Sequence, residues 1–353
     1  MTVTGQSRDW EAEFRDRILP RFAARTPADT APRWIFVCGQ PGSGKSGCVR
    51  RLMAELGEDR TQLICSDSLT GMFPDLLTGP EDTFHQAALA EFRGTVRRGY
   101  IDRLVDHATR LGAHVLWERP NTGDIEQLAL VARALGYRVD CIMLAVPLVE
   151  SWLATMLRSL EKRRLGDPVV FDIAWASARS NSRRWPACLA RIEASAAVDR
   201  IAVLDRDGTA CFENRVEPAA GRRNWAEQPF AFESLVIERA RPRTPGDMQR
   251  LIADWLGVMA DPDIAFRNHP AWPWDSIAGF RQILADLAAD PGTGFDLNAP
   301  GDDALAASRW IDRLRTTLDD ILAGPEAAGQ PGLAARAERL VALAARVAGQ
   351  PIR

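Results

Sequence analysis

Apolar positions along the chain follow two patterns. Short continuous runs, "WIFVC" (34–38), "QLIC" (62–65), "HVLW" (114–117) and "VDCIMLAV" (139–146), read as strands, the first buried on both faces. Between them, apolar residues recur at helical spacing. Trp10, Phe14, Ile18, Leu19 and Phe22 predict a helix over 8–27, and Val49, Leu52, Met53 and Leu56 predict another that Gly57 stops. Leu89, Phe92, Val96, Ile101, Leu104, Val105 and Leu111 predict one or two long helices over 83–111. Asp124 with Gln127 three residues on reads as a capping box for a helix running to Gly136. Helices follow over 148–164 and 172–197, with Pro168 breaking the chain between them. "RIAVLDRDGTACFEN" (200–214) reads as two strands around an Asp-Gly turn.

Strands that alternate with helices predict a parallel α/β sheet, here over about residues 33–215. "VEPAAGRRNWAEQPF" (216–230) reads as a linker. Beyond it strand signals fade, and helical spacing returns over 244–258, 275–289, 303–323 and 332–348. "DPDIAFRNHPAWPWD" (261–275) reads as a loop within this tail. Four segments result: an N-terminal helix packing on the core (1–33), the core (34–215), a connecting segment and helix (216–258), and a helical C-terminal extension (259–353).

Bulk composition narrows the classes. In 353 residues, 46% hydrophobic and 26% charged content is ordinary for a soluble globular protein. A net charge of −3 implies no general nucleic-acid surface. The first 30 residues lack the apolar stretch of a signal peptide, and no apolar run approaches the ~20 residues that span a bilayer. The expected compartment is the cytoplasm, with no membrane or nucleic-acid partner. Six cysteines occur singly, and His85, His107, His114 and His269 have no ligand spacing, so neither a zinc site nor a redox pair is expected.

The stretch "CGQPGSGKS" (38–46) changes the picture. It holds one of only two lysines, Lys45 and Lys162, among 44 basic residues. Gly39, Gly44, Lys45 and Ser46 match G-x-x-x-x-G-K-[ST], after a predicted strand and before a predicted helix. Such a loop wraps backbone N–H groups around phosphates at a helix start. Gly39, Gln40, Pro41, Gly42, Ser43, Gly44, Lys45, Ser46 and Gly47 are therefore the expected ATP-binding residues. Lys45 would reach the β- and γ-phosphates, and Ser46 would ligate Mg²⁺. A compact ammonium fits this cradle where arginine's planar fork does not. The fold class expected is α/β, a P-loop NTPase-type parallel sheet flanked by helices, with the helical extension behind it. The N-K-x-D motif of GTPases is absent and no acidic Walker B run exists, which leaves the small-molecule kinases.

"GQPGSGKS" and "ICSDSLTGMFPDL", with "WERPNTGD", "AVPLVESWLATMLRSLE", "DRDGTACFENR" and "ERARPRTP" in order, resemble the zeta-toxin family of P-loop kinases over about residues 8–258. The resemblance implies a cytoplasmic kinase that phosphorylates the 3′-hydroxyl of the sugar in UDP-N-acetylglucosamine, or, in related effectors, NAD. It also implies a small helical antitoxin as partner. It makes Asp67 the catalytic base, Arg158 a transition-state clamp and Glu118 a sugar contact, beside the catalytic Lys45 of the loop. Arg119, Asn121 and Thr122 follow as substrate-side residues, and Arg163 or Arg164 as substitutes for a second lid arginine absent near Asp167–Pro168. The family's His-Pro is Phe73-Pro74 here, and its Gly-Thr after the acidic strand end is Arg119-Pro120. Plainer readings stand beside these: Asp67 as a helix cap, Glu118 as a turn carboxylate and Arg158 as a solvated charge. The extension beyond 258 is either a buttress of the kinase core or a built-in antitoxin acting in cis, with 269–275 as contact or hinge. A nucleotide-binding regulator without transfer activity is the rival from another class.

Overall fold

The structure, a computed structural model, describes residues 8–78, 83–120, 122–166, 175–219, 222–241, 245–259, 303–325, 327–330 and 332–347. The sequence expectations for Pro168, for 261–275 and for a helix over 275–289 lie outside the described residues.

The chain opens with α1 (Trp10–Glu13), a π turn and α2 (Leu19–Phe22), a continuous helical rod where one helix was expected. There follow β1 (Arg33–Cys38), α3 (Lys45–Leu56), β2 (Thr61–Ile64), α4 (Ser66–Gly71) and α5 (Asp75–Thr78). Next come α6 (Thr83–Glu91), a second π turn and α7 (Arg97–Leu111), then β3 (His114–Arg119) and α8 (Ile125–Ala134). The core closes with β4 (Arg138–Leu144), α9 (Leu148–Arg164), α10 (Trp175–Ser195), β5 (Arg200–Leu204), β6 (Ala210–Ala219) and β7 (Arg222–Trp225). After it stand α11 (Ala231–Ala240), α12 (Pro245–Met259), α13 (Asp303–Leu322) and α14 (Leu333–Val347).

The strands form one seven-stranded sheet in the order β2-β3-β1-β4-β5-β6-β7. The pairs among β1 to β5 are parallel, and β6 and β7 add antiparallel edges. Alternation along β1 divides the core. Ile35 and Val37 face α3 with Leu116, Ile142 and Leu144, while Trp34, Phe36 and Cys38 face a larger cluster that reaches α1, α7, α8 and α10. Asp140, inside the apolar run of β4, is fully buried at the amino edge of the sheet, where Arg33 holds it at 2.6 Å. The order places β1 between β3 and β4, so the crevice past its carboxyl end is the switch point where open α/β sheets take ligands.

Two local expectations are corrected. Residues 216–230 are not a linker: Arg215–Ala219 continue β6, and β7 pairs back on it with Val216 opposite Trp225. Asp124 does stand at the N-cap of α8, but its carboxylate makes no capping bond and instead accepts from Arg119 Nη2 at 2.9 Å. The Asp-Gly hairpin forms as expected, with Thr209 N donating to Asp205 Oδ1 at 2.8 Å and Gly208 at φ 90°. His107 bonds the Ala24 carbonyl at 2.9 Å and His114 accepts from Arg33 N at 3.0 Å, both structural roles, while the His85 side chain and His269 lie outside the described residues.

The described helices of the extension pack on the core. Ile311, Leu314 and Leu318 of α13 and Leu340 and Ala344 of α14 share one apolar cluster with Ala187 of α10 and Phe232, Val236 and Ala240 of α11. Among the described residues no helix is long and apolar enough to cross a membrane.

Candidate active site

β1 ends at Cys38, and the chain turns at once into the glycine loop. Gly39, Gly42 and Gly44 have φ of 146°, 79° and 92°, in the region that favours glycine. Gly42 also has no room for a side chain, because a Cβ there would lie 1.8 Å from the Ser151 carbonyl oxygen on α9. Close approach of loop and α9 thus dictates the residue. Gln40 is buried behind the loop and donates from Nε2 to the Val146 carbonyl at 2.6 Å and to Ser151 Oγ at 3.1 Å. Its own carbonyl accepts from Lys45 Nζ at 3.0 Å. Lys45 begins α3, whose first-turn N–H groups have no acceptor within the helix.

A cavity of about 210 Å³ opens on this loop. Pro41, Gly42, Gly44, Lys45 and Ser46 form one wall; Cys65, Ser66 and Asp67 come from the end of β2 and the start of α4. Glu118 and Pro120 come from the end of β3, and Ala154 and Arg158 from α9. Register explains Glu118: it shares a strand face with Leu116, which packs toward α3, so the carboxylate arrives beside the loop. On α9, Ala154 and Arg158 are one helical turn apart on the cavity side. Trp152, Thr155 and Ser159 are buried, and Arg158 is exposed.

The electrostatics are those of a charge-binding cleft. Burial pulls the Lys45 ammonium below its ordinary pKa, and the carboxylates of Glu118 and Asp67 work against that shift. Burial pushes Glu118 up, with Lys45 opposing and Asp67 reinforcing. The Cys65 thiol is raised too, by burial and then by Glu118. Two carboxylates around one buried ammonium, with an exposed guanidinium opposite, can hold a polyanion and take up a proton beside it. Ser46, exposed in the first turn of α3, offers a hydroxyl on the same wall, and the donor set of hydroxyl and carboxylates fits Mg²⁺, a hard cation.

Of the residues expected from the sequence, the structure brings Pro41, Gly42, Gly44, Lys45, Ser46, Asp67, Glu118 and Arg158 to one cavity. Gly39, Gln40 and Ser43 build the loop from behind, and Gly47 lies within α3. Arg119 departs from its expected place. It alternates to the other sheet face, stacks 5.0 Å from the Trp117 ring and pairs with Asp124. Thr122 is 9% exposed and its carbonyl faces Cys188 Sγ. Arg164 is exposed near the end of α9, outside the cavity lining; Asn121 and the Arg163 side chain lie outside the described residues. Phe73, where the family has histidine, is fully buried among Trp10, Phe92 and Tyr100. Sequence reading missed Cys65, Ser66, Pro120 and Ala154. The first three adjoin Asp67 and Glu118, and Ala154 is four residues before Arg158, so neighbourhood and helical spacing would have found them.

The sequence profile of the Zeta toxin family matches residues 17–217, which span the loop, both carboxylates and Arg158. The chain belongs to the zeta toxin family. Members of that family are kinases, and this chain is an ATP-dependent phosphotransferase with their P-loop fold. Two solved structures resemble this chain, and the first shares its fold. One, from the PezAT chromosomal toxin-antitoxin system of the human pathogen Streptococcus pneumoniae, is 16% identical with a TM-score of 0.55, covering 72% of this chain and 98% of its own. Another, AvrRxo1-ORF1:-ORF2 with ATP, is 13% identical with a TM-score of 0.49, covering 78% of this chain and 90% of that one. No curated protein matches the chain.

Proposed function

We propose that this zeta toxin relative transfers the γ-phosphate of ATP to a sugar hydroxyl of a nucleotide-sugar such as UDP-N-acetylglucosamine. The observation that carries the reading is the single cavity shared by the phosphate loop, Asp67, Glu118 and Arg158. Lys45 and the loop N–H groups hold the β- and γ-phosphates. Asp67 accepts the proton of the acceptor hydroxyl, and Arg158 offsets charge on the transferring oxygens. Glu118 orients the acceptor sugar, and Arg163 or Arg164 assists Arg158 from the end of α9. Ser46 would hold Mg²⁺, which supplies charge neutralisation on the β- and γ-oxygens when bound. The cytoplasm and a small helical antitoxin as partner go with this reading.

A second acceptor class stays in view because Pro120 lines the cavity where the family has threonine. Proline offers neither a hydroxyl nor an N–H, so one polar contact to the acceptor is absent. A nucleotide ribose, as in NAD, is the alternative acceptor.

Labelled ATP incubated with the purified chain and a metabolite extract tests both. Label in a nucleotide-sugar supports the first acceptor and label in NAD the second; no transfer to any metabolite would leave a nucleotide-binding regulator. The Asp67→Asn variant should bind ATP normally and lose transfer by about 10²–10⁴-fold. Wild-type turnover in that variant would leave Asp67 a first-turn carboxylate of α4 with no part in transfer.

A further inference from the structure

Arg239 lies on α11, 199 residues from the loop in sequence, yet its guanidinium touches it: Nη2 donates to Gln40 Oε1 at 2.6 Å. Nη1 donates to the Ser182 carbonyl on α10 at 2.8 Å, and the buried Nε has no partner. The residue is 9% exposed. Among the described residues, no carboxylate pairs with it. A buried guanidinium facing only an amide and a carbonyl is costly in the empty protein, because neutral oxygens replace its hydration incompletely. Burial alone pulls its pKa down to about 9, so it stays charged at neutral pH.

Its neighbours tell where that charge acts. Gln40 is a crossbar: its amide is fixed by Val146, Ser151 and Arg239, and its backbone carbonyl is the acceptor for Lys45 Nζ. Arg239 therefore sets the side chain of the residue whose main chain seats the phosphate-binding lysine. The same guanidinium adds positive potential behind the loop, in a medium where charges are weakly screened.

We propose that Arg239 is a positioning residue for nucleotide binding, which holds the phosphate loop through Gln40 and whose charge is offset by the polyphosphate when nucleotide binds. The proposal rests on the kinase reading of the site. It separates binding from stability, which an ordinary buried contact does not. Removing the charge relieves the empty protein and weakens the complex.

The test compares wild type, Arg239→Met and Arg239→Lys, each as the full chain, by calorimetric titration with Mg-ATP and by thermal melting with and without it. Arg239→Met should melt at or above the wild-type temperature when empty, bind Mg-ATP at least about tenfold more weakly, and show a smaller rise in melting temperature on adding it. Arg239→Lys, which keeps the charge and loses the two-armed geometry, should fall between them. Wild-type affinity in Arg239→Met overturns the proposal. So does a loss of affinity in both variants accompanied by a lowered melting temperature when empty, or failure of both to fold, since either makes Arg239 a contact of the fold. Failure of wild type to bind Mg-ATP instead removes the kinase reading and the proposal with it.

Discussion

Lys45 is 5% exposed and faces Glu118 and Asp67 across the cavity. Its Nζ already has an acceptor in Gln40 O, so it is held in place before any phosphate arrives. Lys45→Ala should abolish measurable Mg-ATP binding or turnover. Lys45→Arg should also lose about 10²–10³-fold in turnover, because a planar fork cannot enter a site sized for an ammonium. Unchanged affinity and turnover in Lys45→Ala would remove the loop from the chemistry. These residues were legible in the sequence for a local reason. Lys45 belongs to a contiguous motif, and Asp67 and Glu118 each follow a strand run, where parity and the sheet's carboxyl edge bring them together. Arg239 was not legible, since nothing near it in sequence points to Gln40. Arg119 shows the limit of the same reading: adjacency to Glu118 suggested the site, and the pleat turned it to the opposite face.

At the scale of elements, the loop and α9 form a fitted pair. Gly42 lies against the Ser151 carbonyl and Thr155 Oγ1, so one helix fixes both the loop's depth and the approach of Arg158. Gly42→Ala should displace the loop, because a backbone oxygen cannot yield and φ 79° is strained for alanine. The expected result is at least about tenfold weaker Mg-ATP binding and a destabilisation of about 1–3 kcal/mol. Gly99→Ala in α7, with open space around the position, is the control and should stabilise by about 0.5–1 kcal/mol. Equal melting temperatures and equal affinities in the two variants would show that the close approach does not matter. The five parallel strands were readable because burial on both faces leaves continuous apolar runs. The β6–β7 hairpin was not, since "VEPAAGRRNW" carries Pro, Gly and charge on an edge where one face is wet. The capping box failed because a neighbour five residues back, Arg119, takes the Asp124 carboxylate.

At the scale of the whole molecule, the question is what the chain beyond Val258 does. Among the described residues, none lining the cavity comes from it, and its described helices pack elsewhere. They cover α11, which is buried nearly all round: Ala231 and Leu235 face the main core, and Phe232 and Val236 face α13 and α14. The join is also ionic. Glu193 of α10 accepts from Ala231 N at 2.6 Å at the start of α11. Arg336 of α14 reaches Glu193 at 2.9 Å and Glu233 at 2.5 Å. Burial raises the pKa of Glu193, and Arg336 works to hold it charged. Truncation after Val258 strips the apolar cover from α11 and takes the cation from two carboxylates. Loss of one partner from a buried pair costs about 3–5 kcal/mol, a large share of the ~5–15 kcal/mol that holds a domain folded. α11 carries Arg239 as well, so a loosened helix slackens its grip on Gln40 and the loop. These packing arguments favour the buttress over the built-in antitoxin. The truncated protein should aggregate, or melt several degrees lower with weakened Mg-ATP binding, and Arg336→Met in the full chain should show a milder form of the same loss. A soluble truncation with more transfer activity or toxicity than the full chain would instead make the extension an inhibitor in cis.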